Sequence, residues 1–193
     1  MGISSAWHLK SLGLIDNAAV SVNLRPGYSS YVKFGKQDRI GTVGDDFTLL
    51  DADEQFRVGA KDFTWGNTPL NLESTQMQLN LDSSFTFLPQ KDFEKLLPIL
   101  NALSGVVCES NLCYYPSNCS AIKLQSGFGF TSFSGNNSTP VELSIGSHLL
   151  SGELADMDSN SCYLPFTGYT GDTLMIGNQI AKEYLTVFDL ENK

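Results

Sequence analysis

Short strand-forming segments separated by turn residues run along most of this 193-residue chain. They are rich in Val, Phe, Tyr and Thr, whose branched or aromatic side chains pack well on a pleated sheet. Gly66 and Asn67 lie between two such stretches and predict a hairpin turn. Because no repeat, linker or low-complexity segment divides the sequence, we expect residues 1–193 to form a single, mostly β domain. The predicted strands cover residues 19–24, 31–34, 56–65, 121–124, 128–133, 141–145 and 183–188.

Two segments show the spacing of an amphipathic helix. The clearer one follows Pro89, a residue type that is common where helices begin. Pro98 is expected to bend this helix or end it early, because proline lacks a backbone N–H and clashes with the preceding turn. A weaker helix is predicted over residues 6–12 and ends at Gly13. The apolar positions that indicate the helix after Pro89 are Phe93, Leu96, Leu97 and Leu100.

The segment 77–82 alternates apolar and polar side chains, as a half-buried strand does. Met77, Leu79 and Leu81 fall on one face of this strand. The opposite face carries Gln78, Asn80 and Asp82. Both Asn80 and Asp82 are therefore candidate site residues, and the alternation does not choose between them.

The charge balance narrows the possible partners. Twelve basic and twenty-one acidic residues give a net charge of −9. Such a surface repels nucleic acid and anionic membranes, so neither is an expected partner. No stretch of about 18 apolar residues is present that could span a bilayer.

Metal, cofactor and nucleophile motifs are not found in the sequence. No Gly-x-Ser-x-Gly or phosphate-loop pattern occurs, and no Cys-x2-Cys pair predicts a zinc site. We therefore expect no metal and no cofactor. His8 and His148 lie far from the cysteines, and we interpret each as a partly buried structural residue. Four acidic residues are interpreted as solvated loop charges: Glu142, Glu153, Asp156 and Asp158.

Residues 79–89 resemble the active-site segment of the pepsin-like aspartic proteases. In that family a buried strand ends in hydrophobic-Asp-(Thr/Ser)-Gly, followed by a Ser/Thr-rich turn and an aromatic stretch closing in Leu-Pro. Further segments resemble the C-terminal lobe of the family in the same order along the chain. The resemblance implies one lobe of the pepsin-like fold, with bent, packed β-sheets and a few short helices. These further segments are residues 12–24, 34–38, 89–100, 175–178 and 184–189.

Ser83 to Pro89 fit the family pattern without a gap, and counting back gives the register of the catalytic motif. Asn80 then stands where the family has its aspartate, Leu81 where it has Ser or Thr, and Asp82 where it has Gly. A pepsin-like dyad needs two carboxylates that share one proton, and an amide cannot accept that proton. The resemblance therefore implies a catalytically inactive lobe that acts as a binding or structural subunit.

A second register reads Asp82-Ser83-Ser84 as a variant of Asp-Ser-Gly. It retains a carboxylate and a hydroxyl but shortens the following turn by two residues, so the gapless register is simpler. In this alternative the chain is a lobe of an aspartic endopeptidase, with Asp82 as the catalytic carboxylate opposite an aspartate of a second lobe. A third alternative is a symmetric dimer, which also needs a carboxylate in the cleft.

The cysteines indicate an oxidising compartment, because an even number with these spacings favours disulfides. The family resemblance implies that Cys119 pairs with Cys162, and Cys108 and Cys113 could close a small surface loop. Three asparagines begin Asn-x-Ser/Thr sequences and are glycosylation candidates. We therefore expect the secretory pathway, with an extracellular, vacuolar or lysosomal destination. The three asparagines are Asn118, Asn136 and Asn137.

The resemblance covers only the C-terminal lobe of the family, with no counterpart of the N-terminal lobe. It also stops at residues 191–193, before the usual final strand. Residues 1–7 lack the features of a signal peptide and resemble the interior end of a strand, so Met1 is not expected to be a true translation start. A second pepsin-like lobe or another protein subunit is the expected partner, since an uncovered interlobe face is apolar. A peptide in the residual cleft is a further candidate.

Overall fold

The structure is a computed structural model that describes residues 2–24, 30–35, 50–53, 55–152 and 158–191. Three α-helices lie in this part of the chain: Gly2–Ser11 (α1), Gln90–Asn101 (α2) and Gln179–Glu183 (α3). The first seven strands are Ala19–Asn23 (β1), Tyr31–Phe34 (β2), Arg57–Trp65 (β3), Thr68–Pro69 (β4), Gln76–Leu79 (β5), Thr86–Pro89 (β6) and Val107–Glu109 (β7). The others are Leu112–Tyr115 (β8), Gly127–Ser134 (β9), Asn137–Ser144 (β10), Leu150–Ser151 (β11), Cys162–Tyr169 (β12), Leu174–Ile176 (β13) and Thr186–Asp189 (β14).

The described strands form two sheets. The smaller one has three antiparallel strands in the order β14-β1-β2. The larger one follows the order β10-β9-β3-β5-β13-β6-β12-β8-β7, with β4 paired to β3 and β11 paired to β12. Most of its pairs are antiparallel, but β5 runs parallel to β13 and β6 runs parallel to β12. The expected mostly β architecture is confirmed.

Several local predictions are also confirmed. Strands cover most of residues 19–24, 31–34, 56–65, 128–133 and 141–145. The predicted hairpin turn joins β3 to β4, where Trp65 pairs with Thr68. Gly66 has a φ of 54° in this turn, a backbone conformation that glycine adopts without steric cost. The helix predicted over 6–12 begins earlier, at Gly2, and Gly13 lies just beyond its end.

Two strand predictions are corrected. The predicted strand over 121–124 is absent, since the chain instead makes a 3-10 turn over Cys119–Ala121. The Asn118 side chain caps that turn by accepting a hydrogen bond from the Ser120 N–H, so the local backbone is satisfied without strand pairing. The predicted strand over 183–188 begins only at Thr186, because Glu183 still belongs to α3.

Helix α2 does not end early at Pro98, so that part of the expectation is wrong. The helix continues to Asn101 with Pro98 inside it. Pro98 lies on the exposed face, as does Glu94, whose carbonyl loses its helical partner at this point. That carbonyl can be solvated, while Leu96 and Leu100 on the opposite face are fully buried. Burial of the apolar face therefore outweighs the loss of one hydrogen bond.

The main hydrophobic core lies between the larger sheet and α2. Its centre is aromatic: the ring centroids of Phe128 and Phe166 are 5.2 Å apart, and those of Trp65 and Phe166 are 5.8 Å apart. Phe93 of α2 is buried in the same cluster. Aromatic pairs at these separations add stabilisation beyond the area they bury.

A second, smaller apolar cluster holds α1, β1 and α3 together. Its buried members are Ala6, Ala18, Val20, Val22, Ala181 and Leu190. Apolar side chains on α1, on the turn after it and on β2 remain largely exposed. These are Trp7, Leu12, Leu14 and Val32, with 46%, 58%, 67% and 57% of their surface accessible.

Both expected disulfides are present in the structure. Cys108 and Cys113 pair across the β7–β8 hairpin, and Cys119 bonds Cys162 at the start of β12. No helix in the described residues is long and apolar enough to cross a membrane. One part of the segments that carried the family resemblance, residues 36–38, lies outside the described residues. Met1, Glu153, Asp156 and residues 192–193, which the sequence analysis also names, lie outside them as well.

Candidate functional site

The candidate site is the loop of residues 80–85, which connects β5 to β6 in the larger sheet. These two strands are consecutive in sequence but are separated in space by β13. Met77 pairs with Leu174 on one side of β13, and Phe87 pairs with Met175 on the other. The loop must therefore pass across the end of β13, where residues 177–178 follow.

Backbone hydrogen bonds hold the loop against the end of β13. The Asn80 N–H donates to the Ile176 carbonyl at 2.7 Å, and the Asn178 N–H donates to the Ser83 carbonyl at 2.8 Å. Within the loop, the Ser83 N–H donates to the Asn80 carbonyl at 3.3 Å. These bonds satisfy backbone groups that a loop beside a sheet would otherwise leave without partners.

Side chains on both segments add to this contact. The Asn178 Nδ2 donates to the Ser84 Oγ at 3.2 Å, and the Gln179 side-chain amide donates to the Ser84 carbonyl. The Gly177 N–H donates to the Thr86 Oγ1 at 3.3 Å. A Cβ at Gly177 would lie 2.5 Å from the Phe85 carbonyl oxygen, so only glycine allows the two backbones to approach this closely.

The predicted site residues in the loop differ from one another in how deeply they are buried. Asn80 and Leu81 are partly buried, whereas Asp82 is exposed. Leu81 packs against both hydrophobic clusters and so lies between them. Asp82 is the one acidic residue among residues 80–85. This loop by itself therefore supplies an amide and one carboxylate, and a carboxylate pair would need an acid from elsewhere.

The residues that support this loop were predicted in part from the sequence. The resemblance placed residues 175–178 under the active-site segment, and the hydrogen bonds of Gly177 and Asn178 are of that kind. It did not single out Gln179, which is 1% exposed and bonds the loop through its side chain. A buried glutamine at the start of a five-residue helix has no local signature, because its burial depends on how α3 docks.

A protein-family model described as eukaryotic aspartyl protease matches residues 3–193. The chain belongs to this family.

Solved structures with the pepsin-like fold resemble this aspartyl protease family member. An aspartic proteinase from Irpex lacteus superimposes with a TM-score of 0.72 at 19% identity, covering 97% of this chain and 58% of that one. Basic 7S globulin from soybean superimposes with a TM-score of 0.71 at 13% identity, covering 96% of this chain and 51% of that one. The chain thus spans between half and three fifths of the length of these two proteins. No curated protein matches the sequence significantly.

The two histidines of this family member lie in different environments. His8 is exposed on α1, so the expectation that it is partly buried is wrong. His148 is 2% exposed and ends a 3-10 turn over Ile145–His148. Its Nε2 lies 2.6 Å from the Glu183 Oε1 of α3. Of the acidic residues expected to be solvated loop charges, Asp158 is exposed in a loop, where it accepts hydrogen bonds. Glu142 is also exposed, but it lies on β10 and not in a loop.

His148 should make folding stability depend on pH. Burial lowers its pKa from the usual 6.5, and the positive charge of Lys182 acts in the same direction, while the hydrogen bond to Glu183 opposes both. The unfolded chain therefore binds a proton at His148 more readily than the native protein does. The stability that the native protein has because His148 stays neutral is fully present above about pH 6.5. It is lost as the pH falls through the lower pKa of His148 in the native protein.

We expect His148→Gln to reduce the change in unfolding free energy between pH 7.5 and pH 5 relative to the unmodified protein. Urea denaturation at the two pH values measures it. His8→Gln is the matched control, since His8 is exposed, and it should leave the pH dependence unchanged. Equal pH dependence of the unfolding free energy in the His148 variant and the unmodified protein would contradict a lowered pKa of His148 in the native protein.

Proposed function

We propose that this chain is a catalytically inactive lobe of a pepsin-like protein and serves as a binding or structural subunit. The observation that carries the proposal is the sequence Asn80-Leu81-Asp82 at the point where β5 ends. In the family, the catalytic aspartate follows a buried strand. β5 ends at Leu79, and Asn80 is the next residue, in agreement with the gapless register.

Each of the three residues removes a different part of the peptidase chemistry. The Asn80 amide can orient a water molecule but cannot accept its proton as a general base does. Leu81 has no hydroxyl to hydrogen-bond a facing loop. Asp82 introduces a side chain and a charge where the family uses glycine to let the backbone approach the catalytic water.

We also propose that residues 1–193 correspond to the C-terminal lobe and that another polypeptide region covers its open face. In support, the chain covers 58% and 51% of the two solved structures described above. The exposed Trp7, Leu12 and Leu14 lie on α1 and the turn after it, and the exposed Val32 lies on β2 of the smaller sheet. Such a region would bury these apolar side chains. The region is a second pepsin-like lobe or another protein subunit, and a peptide in the remaining cleft is a further candidate.

The alternative function is an aspartic-type endopeptidase lobe completed by a second lobe. The exposure of Asp82 favours it, because an accessible carboxylate on the loop can reach a substrate or a water molecule. An aspartate from the other lobe would then share a proton with Asp82 while water attacks the peptide bond.

A peptidase assay separates these two functions. The protein, purified with its native partner, is incubated with acid-denatured globin at about pH 3 to 5, the range in which a carboxylate dyad is singly protonated. The inactive lobe should give no cleavage and should not bind pepstatin. Pepstatin-sensitive cleavage that Asp82→Ala abolishes would establish the endopeptidase instead.

The disulfides and the sequons support a secretory protein, and we propose an extracellular, vacuolar or lysosomal location. Both disulfides require an oxidising environment to form and persist. Asn118, Asn136 and Asn137 are exposed, as acceptor asparagines must be. We propose that glycans are attached at these positions.

A further inference from the structure

Strand β10 ends the larger sheet among the described residues and pairs with β9 on one side. In an antiparallel pair, the backbone groups of alternate residues point toward the neighbouring strand, and those between them point outward. An outward row of N–H and C=O groups is a template on which another extended chain can add. At three successive outward positions of β10, however, the N–H group is either bonded to a side chain or absent.

Tyr184 occupies the backbone of Glu142. The Glu142 N–H donates to the Tyr184 hydroxyl oxygen at 3.1 Å, and the same hydroxyl donates to the Glu142 carbonyl at 3.0 Å. One side chain thus makes both hydrogen bonds that an added strand would make at this residue. Because these groups bond Tyr184, Glu142 is an outward-facing position of β10.

Glu183 occupies the next outward position. The Ser144 N–H donates to the Glu183 Oε1 at 2.8 Å. The same oxygen lies 2.6 Å from the Nε2 of His148, which is buried. A buried partner restricts the carboxylate to one orientation, so the oxygen stays on the strand edge.

Pro140 is the preceding outward position, two residues before Glu142. Proline has no N–H to offer to an added strand, and this is why it is tolerated on edge strands and excluded from central ones. Pro140 pairs with Thr131 of β9 and is exposed. Three successive outward positions are therefore closed, at Pro140, Glu142 and Ser144.

We propose that Pro140, Glu183 and Tyr184 together close the edge of β10 to strand addition, and that opening it lets a second copy of this chain pair along β10. In a solution of the pure protein, β10 of another copy offers an identical edge, and we take it as the partner strand. Antiparallel pairing of two identical edges is symmetric, so the same contacts form twice. The net charge of −9 opposes this association at low ionic strength and is screened at higher salt.

Tyr184→Phe tests the proposal, since it retains the ring and removes the hydroxyl that bonds Glu142. Tyr114→Phe is the matched control, because Tyr114 is a partly buried tyrosine on β8, near the opposite end of the sheet order. Sedimentation at moderate salt measures self-association, and hydrogen exchange measures protection of the Glu142 amide. Each copy regains two backbone groups for pairing and the contacts form twice, so the Tyr184 variant should self-associate at least roughly tenfold more strongly, tenfold being the effect of about one net hydrogen bond.

The exchange measurement locates the contact. In the Tyr184 variant, the Glu142 amide should exchange faster in dilute solution and regain protection as the protein concentration rises. Association through the exposed apolar side chains of Trp7, Leu12, Leu14 and Val32 would occur equally in the variants and in the unmodified protein. It would leave the Glu142 amide unaffected. Unchanged association in a folded Tyr184 variant, or protection independent of concentration, would overturn the proposal.

Pro140→Thr provides a second test that leaves the contacts of Tyr184 intact. It adds an outward N–H at an exposed position where the backbone is already in a strand. Combined with Tyr184→Phe, it should increase self-association beyond that of either single variant. If the Tyr184 variant does not fold, the Pro140 variant alone decides: self-association equal to that of the unmodified protein would refute the closed edge.

Discussion

Pepsin-like cleavage should appear when Asn80→Asp, Leu81→Ser and Asp82→Gly are combined in the protein assembled with the second lobe that we propose as its partner. The substitutions return a carboxylate, a bracing hydroxyl and a glycine to the loop after β5. A positioned general base contributes about 10²- to 10⁴-fold to a rate, so the gain over the unmodified protein should be of that order. Cleavage of acid-denatured globin, with and without pepstatin, measures it.

Two single variants are the controls for this experiment. Asp82→Ala should leave the unmodified protein as inactive as before, and Asp82→Gly should not suffice because the Asn80 amide remains. Activity in the unmodified protein that Asp82→Ala removes would favour the endopeptidase alternative. A triple variant that pairs normally with its partner and remains inactive would contradict the placement of Asn80 at the dyad position.

The second large effect concerns folding stability. Replacing Cys119 and Cys162 by alanine should lower the free energy of unfolding, because their disulfide joins residues 43 apart in sequence. Restricting a loop of this length in the unfolded chain stabilises a protein by about 4 kcal/mol in the chain-entropy model. Domains are stable by only about 5 to 15 kcal/mol in total, so this is a large fraction. Guanidinium denaturation of the variant and the unmodified protein measures the difference.

The Cys108–Cys113 disulfide provides the matched comparison. Its residues are 5 apart, so the same estimate for the corresponding alanine variant is about 2 kcal/mol. The Cys119–Cys162 bond also anchors a turn outside the regular sheets to the buried start of β12, where Cys162 has no exposed surface. Equal losses from the two disulfides would show that loop length does not govern their contributions.

Local sequence patterns predicted the strands well where strand-forming residue types coincide with burial in the folded protein. β1, β3 and β9 are rich in apolar or aromatic residues, and each forms close to its predicted bounds. The prediction failed at residues 121–124, whose apolar character is similar. There, a side-chain cap from Asn118 and a disulfide to a distant strand stabilise a turn. The cap joins residues two apart and is a local signal that the prediction missed, whereas the disulfide is not visible in a short window of sequence.

The candidate site, like the strands, was predicted from the sequence only in part. The family resemblance predicted that residues 79–89 and 175–178 belong together, and they lie in contact through Ser83, Ser84 and Asn178. The burial of Gln179 was not foreseen, and His148, which was expected to be partly buried, is almost completely buried. Both depend on where α3 docks, and a helix of five residues carries too little periodicity to indicate its buried face.

The sequence by itself determined the fold class, the disulfide pairing through the family resemblance, and the presence of an amide at position 80. These follow from residue types and from order along the chain. The tertiary structure alone decided that Tyr184 meets Glu142, 42 residues away, and that Glu183 meets both Ser144 and His148. Contacts between distant residues depend on how sheets and helices pack together, and no local propensity encodes that packing.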